Sequence, residues 1–102
     1  MPRPVLSAEA RRDLKGIQNY IVNEHESPQA VFKVTETILE RIEDLIGFPD
    51  TGTLLSPKVN FPTNYRYARA AGYLIFHRHE SDVIFIDRII YGKRDYLSIL
   101  FP

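Results

Sequence analysis

The stretch Tyr65–Tyr96, YRYARAAGYLIFHRHESDVIFIDRIIYGKRDY, decides the fold. Tyr73–Phe76 and Val83–Ile86 within it hold no polar side chain apart from one tyrosine hydroxyl. Both runs are rich in β-branched and aromatic residues, and short polar or glycine-containing connectors bound them. A half-exposed strand would alternate apolar and polar residues. Dry runs of this length therefore predict consecutive antiparallel strands covered on both faces. The strands are expected at Tyr65–Ala70, Gly72–His79 and Asp82–Tyr91. Arg66, Arg69, Arg78, Arg88, Lys93 and Arg94 surround the dry runs. Such an arginine rim suits an anionic ligand or a protein partner.

Two helices precede the strands. Pro4-Val5-Leu6 is extended, since proline disfavours helix in the residue before it. Ser7 caps a first helix, with Glu9 in the first turn where the helix dipole favours a carboxylate. Ala10, Leu14, Ile17 and Ile21 recur on one face, and the helix fades near His25. Ser27 caps a second helix with Pro28 in its first turn, and Gly47 with Pro49 closes it. Val31, Val34, Ile38, Ile42 and Leu45 form its apolar stripe, widened by Leu39 and Ile46. The short connection predicts an antiparallel helical hairpin. Its apolar faces must cover the sheet, because no other apolar surface of that size exists in the chain.

Gly47–Thr63 holds Gly47, Pro49, Gly52, Pro57 and Pro62 and reads as an irregular loop at the edge of the domain. After the last strand, Leu97, Ile99, Leu100 and Phe101 are too apolar for a solvated tail. They form either a short element covering the sheet or a surface awaiting a partner. The pattern is α+β, one strand and two helices followed by a three-strand meander on a small, mostly antiparallel sheet. All 102 residues make one domain.

Hydrophobic content of 44% and charged content of 25% are ordinary for a globular protein. Cysteine is absent, which excludes disulfides, thiol nucleophiles and thiolate metal sites. No apolar run approaches the roughly 20 residues that span a bilayer, and the N-terminus lacks a secretory block. A cytoplasmic protein with no membrane partner is the expectation. Net charge is zero, which argues against wholesale coating of nucleic acid. The charge is unevenly placed, at −3 for residues 1–57 and +3 for residues 58–102. The second half is the expected face for phosphate or an acidic partner.

Several residues carry both a functional and a packing reading. His77 and His79 share a strand face, but two imidazoles without a regularly spaced third ligand do not make a metal site. Packing is preferred for His77, and neither a metal nor a cofactor is expected. Arg88 lies in a dry strand and needs a carboxylate, for which Asp87 or Asp95 is expected. Arg94 and Asp95 are a candidate structural pair. Tyr65, Tyr67 and Tyr73 suit either stacking on bases or core packing with the hydroxyl at the rim.

The ordered set SAEARRDLKGIQNYI (7–21), FPDTGTLL (48–55), YRYARAAGYLIFHR (65–78) and VIFIDRIIYGKRDYLSILF (83–101) resembles the RelE/ParE toxin superfamily of bacterial type II toxin–antitoxin modules. The order β-α-α-β-β-β and the Phe48-Pro49…Gly52 and Gly92-Lys93-Arg94-Asp95 segments place the resemblance in the ParE branch. The superfamily holds ribosome-dependent mRNA endonucleases of the RelE type and DNA gyrase inhibitors of the ParE type. RelE-type cleavage implies an arginine directly after the aromatic of the middle strand, where this chain has Leu74. The lysines of the preceding strand fall on Tyr65 and Tyr67. The resemblance thus implies a toxin acting on DNA gyrase, without catalysis or cofactor, and neutralised by a cognate antitoxin. Arg66, Arg69, Lys93, Arg94, Leu97, Leu100 and Phe101 are its target-binding candidates. Two alternatives stay open. One is a nuclease acting on ribosome-bound mRNA, with Arg66, Arg69, His77, Tyr91 and Arg94 as its catalytic set. The other is an inactive relative that only binds the antitoxin.

Overall fold

The computed structural model describes residues 2–25 and 27–102. Five strands form one sheet in the order β1-β5-β4-β3-β2. These are β1 (Arg3–Leu6), β2 (Thr53–Leu54), β3 (Arg66–Ala70), β4 (Tyr73–Glu80) and β5 (Val83–Tyr91). β1 runs parallel to β5, and the remaining neighbours are antiparallel. The expected α+β meander is present, with one addition. The expected irregular loop contributes β2 and a 3₁₀ turn at Ser56–Lys58, so the sheet gains a fifth strand. Two paired residues between prolines and glycines are too few to leave a periodic signal.

Backbone detail explains the sheet margins. The β3–β4 connection has two residues, Ala71 and Gly72, both with positive φ. Left-handed backbone at both central positions matches the twist of a tight hairpin. At the opposite margin, Arg3 donates its N–H to the carbonyl of Asp82, just before β5, and Ser7 donates to that of Ile86 within it. Alternation then turns Pro4 outward, where a residue without an N–H blunts the open edge.

α1 (Ala8–His25) and α2 (Pro28–Gly47) cover one face, α1 over β5 and α2 over β3. Ser7 starts α1 by accepting from the Ala10 N–H at 2.9 Å, while its hydroxyl donates to the Asp87 carbonyl at 2.7 Å. Ser27 caps α2 by accepting from the Ala30 N–H, and Pro28 takes the first turn. Ile17, Ile21, Ile38, Ile42 and Leu45 of the helices meet Ala68, Ile75, Ile84, Ile86 and Ile89 of the sheet, all buried. Ile46 is half-buried, but Leu39 is exposed rather than part of the stripe.

The second face carries its own core. Leu55, Tyr67, Leu74, Phe76 and Ile90 are buried there beneath α3 (Tyr96–Leu100) and Phe101. Leu74 and Phe76 thus face one layer and Ile75 the other, as a dry strand between two covers requires. Of the two readings of the terminus, the structure takes the covering element. Asp95 caps α3, accepting from the Ser98 N–H at 3.5 Å and its hydroxyl at 2.7 Å. It pairs with neither Arg88 nor Arg94. No helix among the described residues is long and apolar enough to cross a membrane.

Candidate functional site

The candidate side chains do not converge on one point. Arg66 and Arg69 are three apart on β3, an odd spacing that sends them to opposite faces of the sheet. Arg66 lies on the helix side, beside His77 in the register, and donates to the Gly52 carbonyl at 2.8 Å. Arg69 lies on the α3 side with its guanidinium 5.9 Å from the Tyr67 ring centroid. Lys58 brings its ammonium to the same distance, 5.9 Å, from that ring. Tyr67 is a buried platform under two cations, and no carboxylate among the described residues neutralises either of them.

His77 is fully buried, and among the described residues neither ring nitrogen has a hydrogen-bond partner. Gly52 presses on it so closely that a Cβ there would lie 2.4 Å from Nε2. Burial, with the cations Arg41 and Arg66 nearby, lowers its pKa from 6.5 to about 4. The ring presents no nitrogen to a ligand from solvent. His79 differs, with Nδ1 3.8 Å from the Asp50 carboxylate at the surface. Among the described residues no cluster of three or more potential metal ligands exists.

Two expected outcomes follow from His77. Its folded pKa lies below the unfolded value, so the unfolded chain binds the proton first as pH falls. The neutral ring's contribution is complete above about pH 6.5 and fades between about 6.5 and 4, amounting to about 3 kcal/mol. Urea melts at pH 7 and pH 4.5 should show that loss in the wild type and a smaller loss in His77→Leu. Equal losses would show that other groups carry it. Gly52→Ala should cost about 2 kcal/mol through overpacking against the ring.

Two polar networks correct the expected pairing of Arg88. Its guanidinium meets Asp13 of α1, Nε at 2.8 Å and Nη2 at 2.9 Å, and the same carboxylate accepts the Ile89 N–H at 2.9 Å. Asp87 is taken instead by Arg78 Nε at 2.8 Å and the Tyr65 hydroxyl at 2.7 Å. Burial first, and then the hydrogen bond to Asp87, push the Tyr65 hydroxyl up to about 12. Tyr65 also packs its ring edgewise on Phe101, centroids 6.1 Å apart. Tyr65 is thus a packing residue with a polar duty at the rim, and Tyr67 a buried packing residue beneath Lys58 and Arg69.

Tyr91 and Arg94 lie elsewhere again. Gly92 follows β5 and donates its N–H to the Gly72 carbonyl at 3.0 Å. A Cβ at Gly92 would lie 3.1 Å from that carbonyl oxygen, so glycine lets the turn seat against the β3–β4 hairpin. The turn closes with the Arg94 N–H donating to the Tyr91 carbonyl and brings Arg94 back toward α1. Arg94 and Tyr91, with Arg12, Gly16, Tyr20 and Tyr73, line a groove of about 550 Å³ between α1 and the sheet. Lys93 is exposed at the tip of the turn. Leu97, Leu100 and Phe101 are half-buried on the other face, under which Leu74 is buried.

Sequence reasoning did not find the groove. Its helical wall is Arg12, Gly16 and Tyr20, spaced by four along α1 beside the core stripe. That i, i+4, i+8 series was a readable signal, but a polar helix face is ordinarily only solvated.

No curated protein matches the chain. Among solved structures, it is similar to a chain of the chromosomal ParDE toxin–antitoxin system from P. aeruginosa, with a TM-score of 0.74 and 20% identity. That match covers 91% of this chain and 98% of the other and shows the shared fold. A weaker likeness, TM-score 0.48 and 11% identity over 100% of both chains, is to a crystal structure of a YafQ mutant from E. coli. The family model described as "ParE toxin of type II toxin-antitoxin system, parDE" matches residues 5–96. With nine-tenths of its length inside that match, the chain belongs to the ParE toxin family of type II toxin–antitoxin systems.

Proposed function

We propose that this chain is a growth-inhibiting toxin that acts on DNA gyrase by binding rather than by bond cleavage, and that a cognate antitoxin neutralises it. One observation carries the choice against mRNA cleavage. Leu74 occupies the position after the middle-strand aromatic, and it is 1% exposed beneath α3. Cleavage by 2′-hydroxyl attack needs a cation at the phosphate together with a base and an acid. Here an aliphatic side chain fills that position, His77 is shut inside the fold, and Arg66 and Arg69 lie on opposite faces.

The surface cations Arg69, Lys93 and Arg94 are the proposed contacts to the target, with Arg66 anchored to Gly52 behind them. Leu97, Leu100 and Phe101 pack on the face that carries Arg69 and are the proposed apolar part of the contact, and their truncation impairs the toxin partly through lost stability. The basic residues lie in the half of the chain with a balance of +3, which suits an acidic antitoxin arm that folds on binding.

Expression without antitoxin should arrest growth, which separates a toxin from an inert antitoxin-binding relative. The purified chain should reduce supercoiling by gyrase and leave ribosome-bound mRNA intact. Arg69→Ala, Lys93→Ala and Arg94→Ala should each weaken inhibition on the order of 3- to 10-fold, as expected of rim charges. Codon-positioned cuts in ribosome-bound mRNA, abolished by Arg94→Ala, would overturn the reading and restore the nuclease.

A further inference from the structure

The groove between α1 and the sheet is open along one wall because of a glycine that the helix does not need. Gly16 lies in the middle of α1, where glycine costs about 1 kcal/mol relative to alanine. A Cβ built there would touch nothing within 4 Å, so no packing contact requires its absence. Its one structural consequence is the depth of the groove.

The polar lining is unbalanced in a telling way. Asp13 is the lining carboxylate, and both of its oxygens are engaged by Arg88 and the Ile89 N–H. Arg94 has no carboxylate in salt-bridge range among the described residues, and Arg12 has only Glu9 at 3.5 Å on an exposed helix face. Arg94 therefore faces the groove unpaired among the described residues, and Arg12 brings a second guanidinium held only by a long, solvent-exposed pair. The remaining polar groups are the hydroxyls of Tyr20, Tyr73 and Tyr91, each able to donate. Tyr20 is 58% and Tyr91 41% exposed, and the Tyr91 ring lies tilted on Tyr73 with centroids 5.6 Å apart. Ile17 and Ile89 make the floor apolar.

An oxyanion on a flat aromatic body matches this set. A phosphate accepts from guanidinium groups and hydroxyls together, and a base has a π-face for a tyrosine. The volume of about 550 Å³ lies within the range of small-molecule sites. We propose that the groove beside Gly16 binds a nucleotide, with the phosphate on Arg12 and Arg94 and the base stacked on Tyr20 or Tyr91. The nucleotide is either free or the end of a nucleic-acid strand. This site shares Arg94 with the proposed gyrase contact, but Arg12, Gly16 and Tyr20 belong to the groove alone, so Arg12→Ala and Gly16→Leu test it apart from that contact.

The test uses the full chain titrated with nucleoside monophosphates, the matching nucleosides, inorganic phosphate, a 5′-phosphorylated oligonucleotide and an acidic peptide. Isothermal titration calorimetry reads binding, since nucleobases absorb where tyrosine is excited. Nucleoside monophosphates should bind at least about tenfold tighter than either nucleosides or inorganic phosphate, because the site engages both parts. A stronger response to the oligonucleotide identifies a strand end as the source, and an equal response a free nucleotide. Arg12→Ala and Arg94→Ala should each weaken binding about 5- to 10-fold. Gly16→Leu fills the groove and improves helix propensity, so it should abolish binding while the urea midpoint holds or rises. Nucleotide binding no tighter than inorganic phosphate, binding that survives Gly16→Leu, or a response to the peptide alone would each overturn the assignment.

Discussion

Asp13→Ala is expected to destabilise the fold by about 3 kcal/mol, read as a lowered urea midpoint at unchanged slope. One carboxylate here satisfies three donors, two from Arg88 and one from the Ile89 backbone, and joins α1 to β5 across 75 residues of chain. Its side chain is 15% exposed and that of Arg88 25%, so the pair is mostly withdrawn from water. Removing the carboxylate leaves a charged guanidinium and a backbone N–H without partners, which costs more than the net value of the bonds themselves. Asp13→Asn keeps an acceptor and should lose roughly half as much. Asp13→Leu combined with Arg88→Met removes both charges and should recover part of the loss. A loss below about 0.5 kcal/mol in Asp13→Ala, the range of an exposed pair, would show that the bridge does not anchor the helix.

Phe76→Ala is expected to cost about 4 kcal/mol, a large fraction of the total stability of a domain this size. The ring has no exposed surface and is enclosed by Tyr67 and Tyr96, with centroids 6.1 and 5.5 Å away. Truncation opens a cavity between the sheet and α3, and a five-residue helix has few other contacts to hold it. Hydrogen exchange at Ser98–Phe101 should therefore rise by more than the global loss predicts. Phe76→Leu should cost about 1.5 kcal/mol, since most of the volume is retained. If protection at α3 falls only in step with global stability, α3 is held by other contacts.

Much of this molecule was legible before folding. The dry runs Tyr73–Phe76 and Val83–Ile86 specify strands with two covers, because an uninterrupted apolar run cannot face water on either side. Ser7, Ser27 and Pro28 marked the helix starts through local hydrogen bonding and a fixed φ, interactions that span four residues or fewer, while Gly47 is the last residue of α2 and Phe48 its cap. Leu74 was readable as aliphatic where a nuclease of this superfamily implies arginine, and the fold buries it.

Pairing across the fold was a different matter. Arg88 had Asp87 and Asp95 as neighbours in sequence, yet it bonds Asp13, because α1 packs along β5 and brings its carboxylate there. Whether Arg66 and Arg69 act together depended on strand parity, and His77 became inaccessible only when the Gly52 loop closed over it. The groove at Gly16 needed α1, the end of β5 and the Gly92 turn to meet. Local propensity and periodicity, which act over a few residues, were enough to determine the elements and the class of this protein. Which charges are paired, which are buried and which stay free was decided by tertiary structure alone, because these depend on the distance between residues far apart in the chain.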